Sequence, residues 1–186
     1  YHLHDDQGSI LDSCTKWNDY VDLAKSYGMT AIASTNHGYN LNWTEKKQYC
    51  KSQGIKYIFG VEAYLTEKLT HNKTNKNGEI EQYKERDNYH TILLAKNQDG
   101  ADEINAITSP STDIQHKYYK PRISFDEFLS LSNNVITTSA CIQSPLRKYN
   151  YTIDGFNQEL LEKLLQKYDY YEIQYHNNSE QIEYNK

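Results

Sequence analysis

Gly28-Met29-Thr30-Ala31-Ile32-Ala33-Ser34-Thr35-Asn36-His37-Gly38 is where the chain shows its architecture. Residues 30–35 are small, apolar or β-branched and lie between a glycine and a polar turn, which predicts a buried strand. Before it, residues 15–27 place Trp17, Tyr20, Val21, Ala24 and Tyr27 on one helical face, and Gly28 stands where such a helix stops. After it, a second helical pattern covers 42–53 and ends at Gly54. Helix, strand and helix in this order predict an α/β fold with parallel strands joined by crossover helices. Continued outward, the pattern predicts strands at 55–65, 89–95, 134–139 and 170–175, and helices at 99–107, 125–131 and 154–168.

Two stretches interrupt the alternation. Residues 67–88, with Asn72, Lys73, Asn75, Lys76, Asn77 and Gly78 close together, predict a surface loop or hairpin, open to disorder. Residues 109–120 have no periodicity. The alternation resumes after each, so neither is an interdomain linker, and one domain is expected. A chain of 186 residues can bury about two-thirds of its unfolded surface.

Composition narrows the function classes. No run of about 18 apolar residues exists, which excludes a membrane-spanning helix and predicts a soluble protein. The opening Tyr1-His2-Leu3-His4-Asp5-Asp6 is neither basic nor apolar, unlike a signal peptide; it starts without Met and as though inside a strand, so preceding residues are expected. A net charge of -5 argues against a general basic surface for nucleic acid, leaving only local contact. Cys14, Cys50 and Cys141 are too few and too scattered for a disulfide framework and form no CxxC pair, which fits a reducing cytoplasm. The 18 tyrosines share no spacing and point to no function.

His2-Leu3-His4 is the sharpest local feature. On a strand, residues two apart share a face, so the two imidazoles would converge, and paired neutral imidazoles suit a zinc-like divalent ion. An exposed chain end would show the same pattern. His37, Glu62, His90 and Cys141 also fall in or beside predicted strands, near the ends where α/β folds build their sites. Singly, His90 reads as a core histidine, Cys141 as a small buried hydrophobe and Glu62 as a solvated edge residue. Together they form a candidate metal site.

An ordered series of motifs resembles the PHP (polymerase and histidinol phosphatase) domain, in the version found in bacterial or phage DNA polymerase III alpha subunits. The matching stretches are His2-Leu3-His4 with Ser9-Ile10-Leu11-Asp12, Ala24-Lys25-Ser26-Tyr27-Gly28-Met29-Thr30-Ala31-Ile32-Ala33, and Thr35-Asn36-His37-Gly38. They continue through Gly54-Ile55-Lys56, Gly60-Val61-Glu62-Ala63-Tyr64, Arg86-Asp87-Asn88-Tyr89-His90-Thr91-Ile92-Leu93-Leu94-Ala95-Lys96-Asn97, Tyr118-Tyr119-Lys120-Pro121-Arg122-Ile123 and Ser139-Ala140-Cys141. The resemblance implies a distorted (βα)7 barrel similar to a TIM barrel, incomplete at its C-terminus, with residues 1–186 an N-terminal fragment of a larger cytoplasmic polymerase. It implies metal ligands at His2, His4, Asp12, His37, Glu62, His90 and Cys141, with His2, His4, Glu62 and His90 in catalysis. The implied cofactor is a cluster of up to three divalent ions, Zn2+ or Mn2+ with Fe2+ as a further option. The implied chemistry is phosphoester hydrolysis, as in a proofreading 3'-5' exonuclease acting on a DNA 3' end or single strand. Implied partners are the rest of the polymerase chain and a replisome exonuclease subunit. The alternatives are a non-catalytic scaffold that docks such an exonuclease, and a stand-alone phosphatase for small molecules.

Two departures stand out. The family's Thr-Asp-His-Gly is Thr35-Asn36-His37-Gly38, an amide replacing a carboxylate, and the family's final Asp-x-His has no counterpart up to Lys186. His176 matches a position near the family's site without being a clear ligand. His71 and His116 match no motif and are expected in solvent. Lys120 and Arg122 beside Tyr118 and Tyr119 read either as a phosphate patch with stacking aromatics or, more simply, as loop packing.

Overall fold

The computed structural model describes residues 1–8, 11–149 and 158–186. Helix α1 (Trp17–Ser26) leads to strand β1 (Ala31–Ser34), helix α2 (Trp43–Gln53) and the long strand β2 (Lys56–Thr66). A hairpin of β3 (Thr70–Thr74) and β4 (Ile80–Lys84) precedes β5 (Tyr89–Ala95) and α3 (Gln98–Thr108). There follow β6 (Arg122–Ser124), α4 (Phe125–Ser130), β7 (Val135–Thr138), α5 (Pro145–Tyr149), α6 (Gln158–Lys167) and α7 (Ser179–Tyr184). Gly54 ends α2 in the left-handed region at φ 73°, where a side chain would be strained.

The sheet is mixed rather than parallel. Its order is β1-β2-β5-β7, with β6 also paired to β2. β1 and β6 run parallel to β2, whereas β5 is antiparallel to both β2 and β7. The expected all-parallel arrangement fails because the connection from β2 to β5 is a hairpin excursion and not a crossover helix. Among the described residues the sheet is an open path from β1 to β7, not a closed barrel.

β2 organises everything else. Phe59 and earlier residues pair with β1 on one edge, Tyr64 to Thr66 pair with β6, and Gly60 to Leu65 pair with β5 on the other edge. Its alternation separates two faces. Val61, Ala63 and Leu65 enter the main core with Leu93, Ile104, Phe125, Phe128, Val135 and Leu164, so α3, α4 and α6 cover that face. Glu62 and Tyr64 occupy the opposite face, beside their cross-strand partners Ile92 and His90.

Several expectations need correction. Residues 170–175 do not form a strand; a single parallel bridge joins Tyr170 to Thr138. Tyr171, Ile173 and Tyr175 lie exposed, and the Tyr171 hydroxyl donates to the Leu165 carbonyl at 2.6 Å, so the segment rests on α6 without joining a strand ladder. The helix expected at 154–168 is described only as α6, and residues 154–157 lie outside the described residues. β6, α5 and α7 are too short to show a period and were not foreseen. Residues 67–88 take the hairpin option, with five ladder pairs between β3 and β4.

Candidate metal centre

The N-terminal arm, residues 1–5, has no regular strand ladder, yet it lies along the end of β1. The Leu3 amide donates to Thr35 Oγ1 at 2.7 Å, and the Thr35 amide returns a bond to the Leu3 carbonyl at 3.0 Å. His2 and His4 therefore flank a pinned residue. The chain beyond β1 continues the parallel pairing at His37 and Glu62, with the Gly38 amide donating to the Glu62 carbonyl at 2.8 Å. Gly38 then turns sharply at φ 70°, and a Cβ there would meet Pro121 Cγ at 2.5 Å. His37 is thus fixed from both sides.

β5 explains how a mixed sheet still gathers ligand-type residues. Because it is antiparallel, its first residues lie at the C-terminal end of β2, and His90 sits opposite Tyr64. β7 is antiparallel to β5, so the segment after it, with Cys141, returns to the same end. Ala140 takes a left-handed φ of 53°, turning the chain just before Cys141.

Glu62 is the hub, with its side chain only 1% exposed. Its Oε1 lies 3.0 Å from His90 Nδ1 and 3.5 Å from His2 Nε2. Its Oε2 lies 2.7 Å from His37 Nδ1 and 3.2 Å from His4 Nε2. The His2 and His4 Nε2 atoms approach to 3.0 Å. Two donor groups result, His2/His4/Glu62 and His37/Glu62/His90, each with its atoms within 4.8 Å of one another. Both Glu62 oxygens and His37 Nδ1 are buried without an aligned hydrogen bond, despite these short distances. That is how donors stand around a shared cation: ligands about 2.1 Å from an ion lie about 3.3 Å from each other. The residues therefore fit a divalent metal.

Burial alone would raise the Glu62 carboxyl, but the surrounding His2, His37, His4 and His90 override it and hold the group far below the usual carboxylate range. Burial would lower His2, yet Glu172 and Glu62 outweigh it and carry the imidazole up to about 9. His37 is likewise raised against desolvation by Glu62 and Asp12. These protons are what a cation would displace.

The remaining expected ligands stand at the margin. Asp12, with a side chain 45% exposed, places Oδ2 2.9 Å from His37 Nε2 and touches the ring on its far side. Cys141 Sγ lies 3.5 Å from His90 Nδ1, outside both donor groups, and burial pushes its thiol up to about 11. His176 is exposed. His71 is exposed in the hairpin, stacked on Tyr83. His116 corrects its expectation: it is half-buried, 3.0 Å from Glu127, because the 109–120 segment folds back on α4. Arg122 is fully buried and donates to the carbonyls of His116, Glu85 and Asp87, so it belongs to loop packing and not to a phosphate patch. Lys120 stays exposed, its ammonium 5.3 Å from the centre of the Tyr64 ring.

Glu172 is the residue that sequence reasoning missed. It lies 2.8 Å from His2 Nδ1, and the backbone amide of Glu172 is held by Ser139 Oγ at 2.9 Å. Its only signal was a lone acid among Tyr and Ile. Beside His2 and Glu172 a cavity of about 800 Å³ opens over Ile58, Ile92, Leu94 and Ile136.

A family model described as PHP domain matches residues 1–185. The chain is 35% identical over 184 residues to the DNA polymerase III subunit alpha of Borreliella burgdorferi, covering 97% of this chain and 15% of that protein. It is 34% identical over 142 residues to the Campylobacter jejuni subunit, covering 76% of this chain and 11% of that protein. The chain thus spans about one-seventh or less of these relatives. In fold it is similar to a candidate metal-dependent phosphoesterase from Bifidobacterium adolescentis, with a TM-score of 0.51 and 12% identity over 98% of this chain and 79% of that one.

Proposed function

Because the chain belongs to the PHP-domain family, we propose that residues 1–186 are a PHP domain within a longer replicative polymerase of the DNA polymerase III alpha type, and that its cluster performs metal-dependent phosphoester hydrolysis. The carrying observation is that two three-residue donor groups share the buried Glu62. The sequence similarity to the alpha subunits supplies the polymerase context.

In this reading His2, His4, Glu62, His37 and His90 hold the ions, and Asp12 and Cys141 are the further donors at the margin. Zinc or manganese suits this imidazole and carboxylate set, with iron as the third option. Bound divalent cations would supply Lewis acidity, holding a phosphate oxygen and making a bound water nucleophilic at neutral pH. Glu62 contributes the negative charge common to both groups, and Glu172 orients His2. Tyr64, stacked on His37 and edge-on to His90, walls the site, and burial pushes its phenol up to about 12, so it stays neutral.

The proposed substrate is the 3' end of a DNA single strand, in a 3'-5' exonuclease reaction. The proposed partners are the remainder of the polymerase chain and a replisome exonuclease subunit, in the cytoplasm. The distorted barrel would be completed on the open side of the sheet, between β1 and β7. Asn36, the departure that speaks for the scaffold alternative, bonds Asp5 with its side chain.

The test is hydrolysis of a 3'-labelled oligodeoxynucleotide and of a small chromogenic phosphodiester, with Mn2+ or Zn2+, by the chain and by the full polymerase that contains it. Hydrolysis that EDTA and Glu62→Gln both abolish is the expected outcome. Metal-loaded protein that cleaves neither substrate in either form would transfer the assignment to the scaffold.

A further inference from the structure

Asn36, the amide that replaces an expected carboxylate, is fully buried against Asp5. Its Nδ2 donates to Asp5 Oδ1 at 2.8 Å, and the Asp5 amide donates to Asn36 Oδ1 at 3.0 Å. The second Asp5 oxygen pairs with Lys46 Nζ at 2.6 Å. Lys46 comes from α2, also donates to Ser34 Oγ at 3.0 Å, and lies 5.5 Å from the centre of the Trp17 ring. Asp5 is 1%, Lys46 2%, and Ser34 and Asn36 0% exposed. Gly8 closes the remaining side, since a Cβ there would come within 2.1 Å of Asn36. The group contains one anion and one cation in a sealed space, where an unmatched charge is costly.

We infer that Asp5 supplies, from the N-terminal arm, the one negative charge of this buried group, and that Asp5, Asn36 and Lys46 form a clamp positioning His4 and His37 around Glu62. Asp5 follows His4 and Asn36 precedes His37, so the reciprocal pair of bonds sets the relative place of two imidazoles whose rings stack at 4.4 Å. These are positioning residues: none of the three belongs to either donor group. The functional consequence rests on the metal-site reading above, while the clamp itself rests on its own contacts.

The charge can then sit at position 5 or at position 36, but not at both or neither. Asn36→Asp sets two carboxylates against a single Lys46. Asp5→Asn leaves Lys46 unmatched. The double variant Asp5→Asn/Asn36→Asp restores one anion and one cation, with amide and carboxylate exchanged across the same contact.

The experiment titrates the unsubstituted chain, the two single variants and the double variant with Co2+ alone, following its ligand-field absorption, and records thermal unfolding of all four without metal. Each single variant is expected to bind Co2+ at least about 10-fold more weakly and to unfold at a lower temperature. The double variant should return to within about threefold of the unsubstituted affinity and show the same absorption band. Asn36→Asp binding as tightly as the unsubstituted chain, or a double variant no better than the worse single one, would overturn the inference. A single variant that cannot fold beside a double variant that can supports it, and a double variant that also fails to fold overturns it. If the unsubstituted chain takes up no Co2+, the metal reading falls, and the four unfolding temperatures still decide the clamp by the same rule.

Discussion

Glu172 lies 2.8 Å from His2 Nδ1, across 170 positions of chain. A carboxylate on one ring nitrogen fixes which nitrogen is left for a metal, and here it turns His2 Nε2 toward His4 and Glu62. The last described segment therefore sets the orientation of a residue at the very start of the chain.

Replacing Glu172 by Gln is predicted to weaken Mn2+ binding by about 10- to 100-fold without unfolding the protein. Calorimetric titration checks this. His71→Ala, in the exposed hairpin, should leave the isotherm unchanged, and equal losses in both variants would remove the orienting role.

The thiols should separate in reactivity. Cys14 is exposed, Cys50 is buried, and Cys141 is intermediate. Burial pushes both Cys50 and Cys141 up to about 11, so little thiolate is present at neutral pH. Ellman's reagent at pH 8 should modify Cys14 first, Cys141 slowly and Cys50 only on unfolding. Zn2+ should slow Cys141 further if its sulfur joins the site, and an unchanged rate would confine the thiol to packing.

Arg122 is predicted to be structural. Its guanidinium satisfies the carbonyls of His116, Glu85 and Asp87 in a buried setting. Arg122→Ala should cost about 3 kcal/mol or more, because those acceptors lose charged donors at once. Chemical denaturation measures this, and Mn2+ affinity of the folded variant should stay within a few-fold of the unsubstituted chain. A variant as stable as the parent but unable to bind a phosphodiester would return Arg122 to a substrate role.

How much of this was legible in the sequence depends on the range of each interaction. α1 was readable because its apolar residues recur at helical spacing, β1 and β5 because each is a short apolar run, and α2 because Gly54 marks its end. Strand direction was not, since β2 and β5 turn antiparallel through a hairpin whose polar residues have no apolar face to declare it. His2, His4, His37, Glu62 and His90 could be named because each is an ionisable residue beside a strand, and the fold does bring them together. Glu172 escaped because its partner is remote in sequence. Asn36 stands in the sequence only as an amide in place of a carboxylate, because nothing there couples it to Asp5, whose bonds to it appear only when arm and strand are packed.

Glu62 is common to both donor groups, so its removal cannot be offset by the other ligands. Mn2+ and Zn2+ titrations of the unsubstituted chain and of Glu62→Gln, on protein stripped with chelator and shown to be folded, compare directly. The two-group site predicts saturable binding of at least two ions by the unsubstituted chain, and an affinity loss of more than about 100-fold in Glu62→Gln at both groups together. Equal affinity and stoichiometry in the two proteins would contradict it.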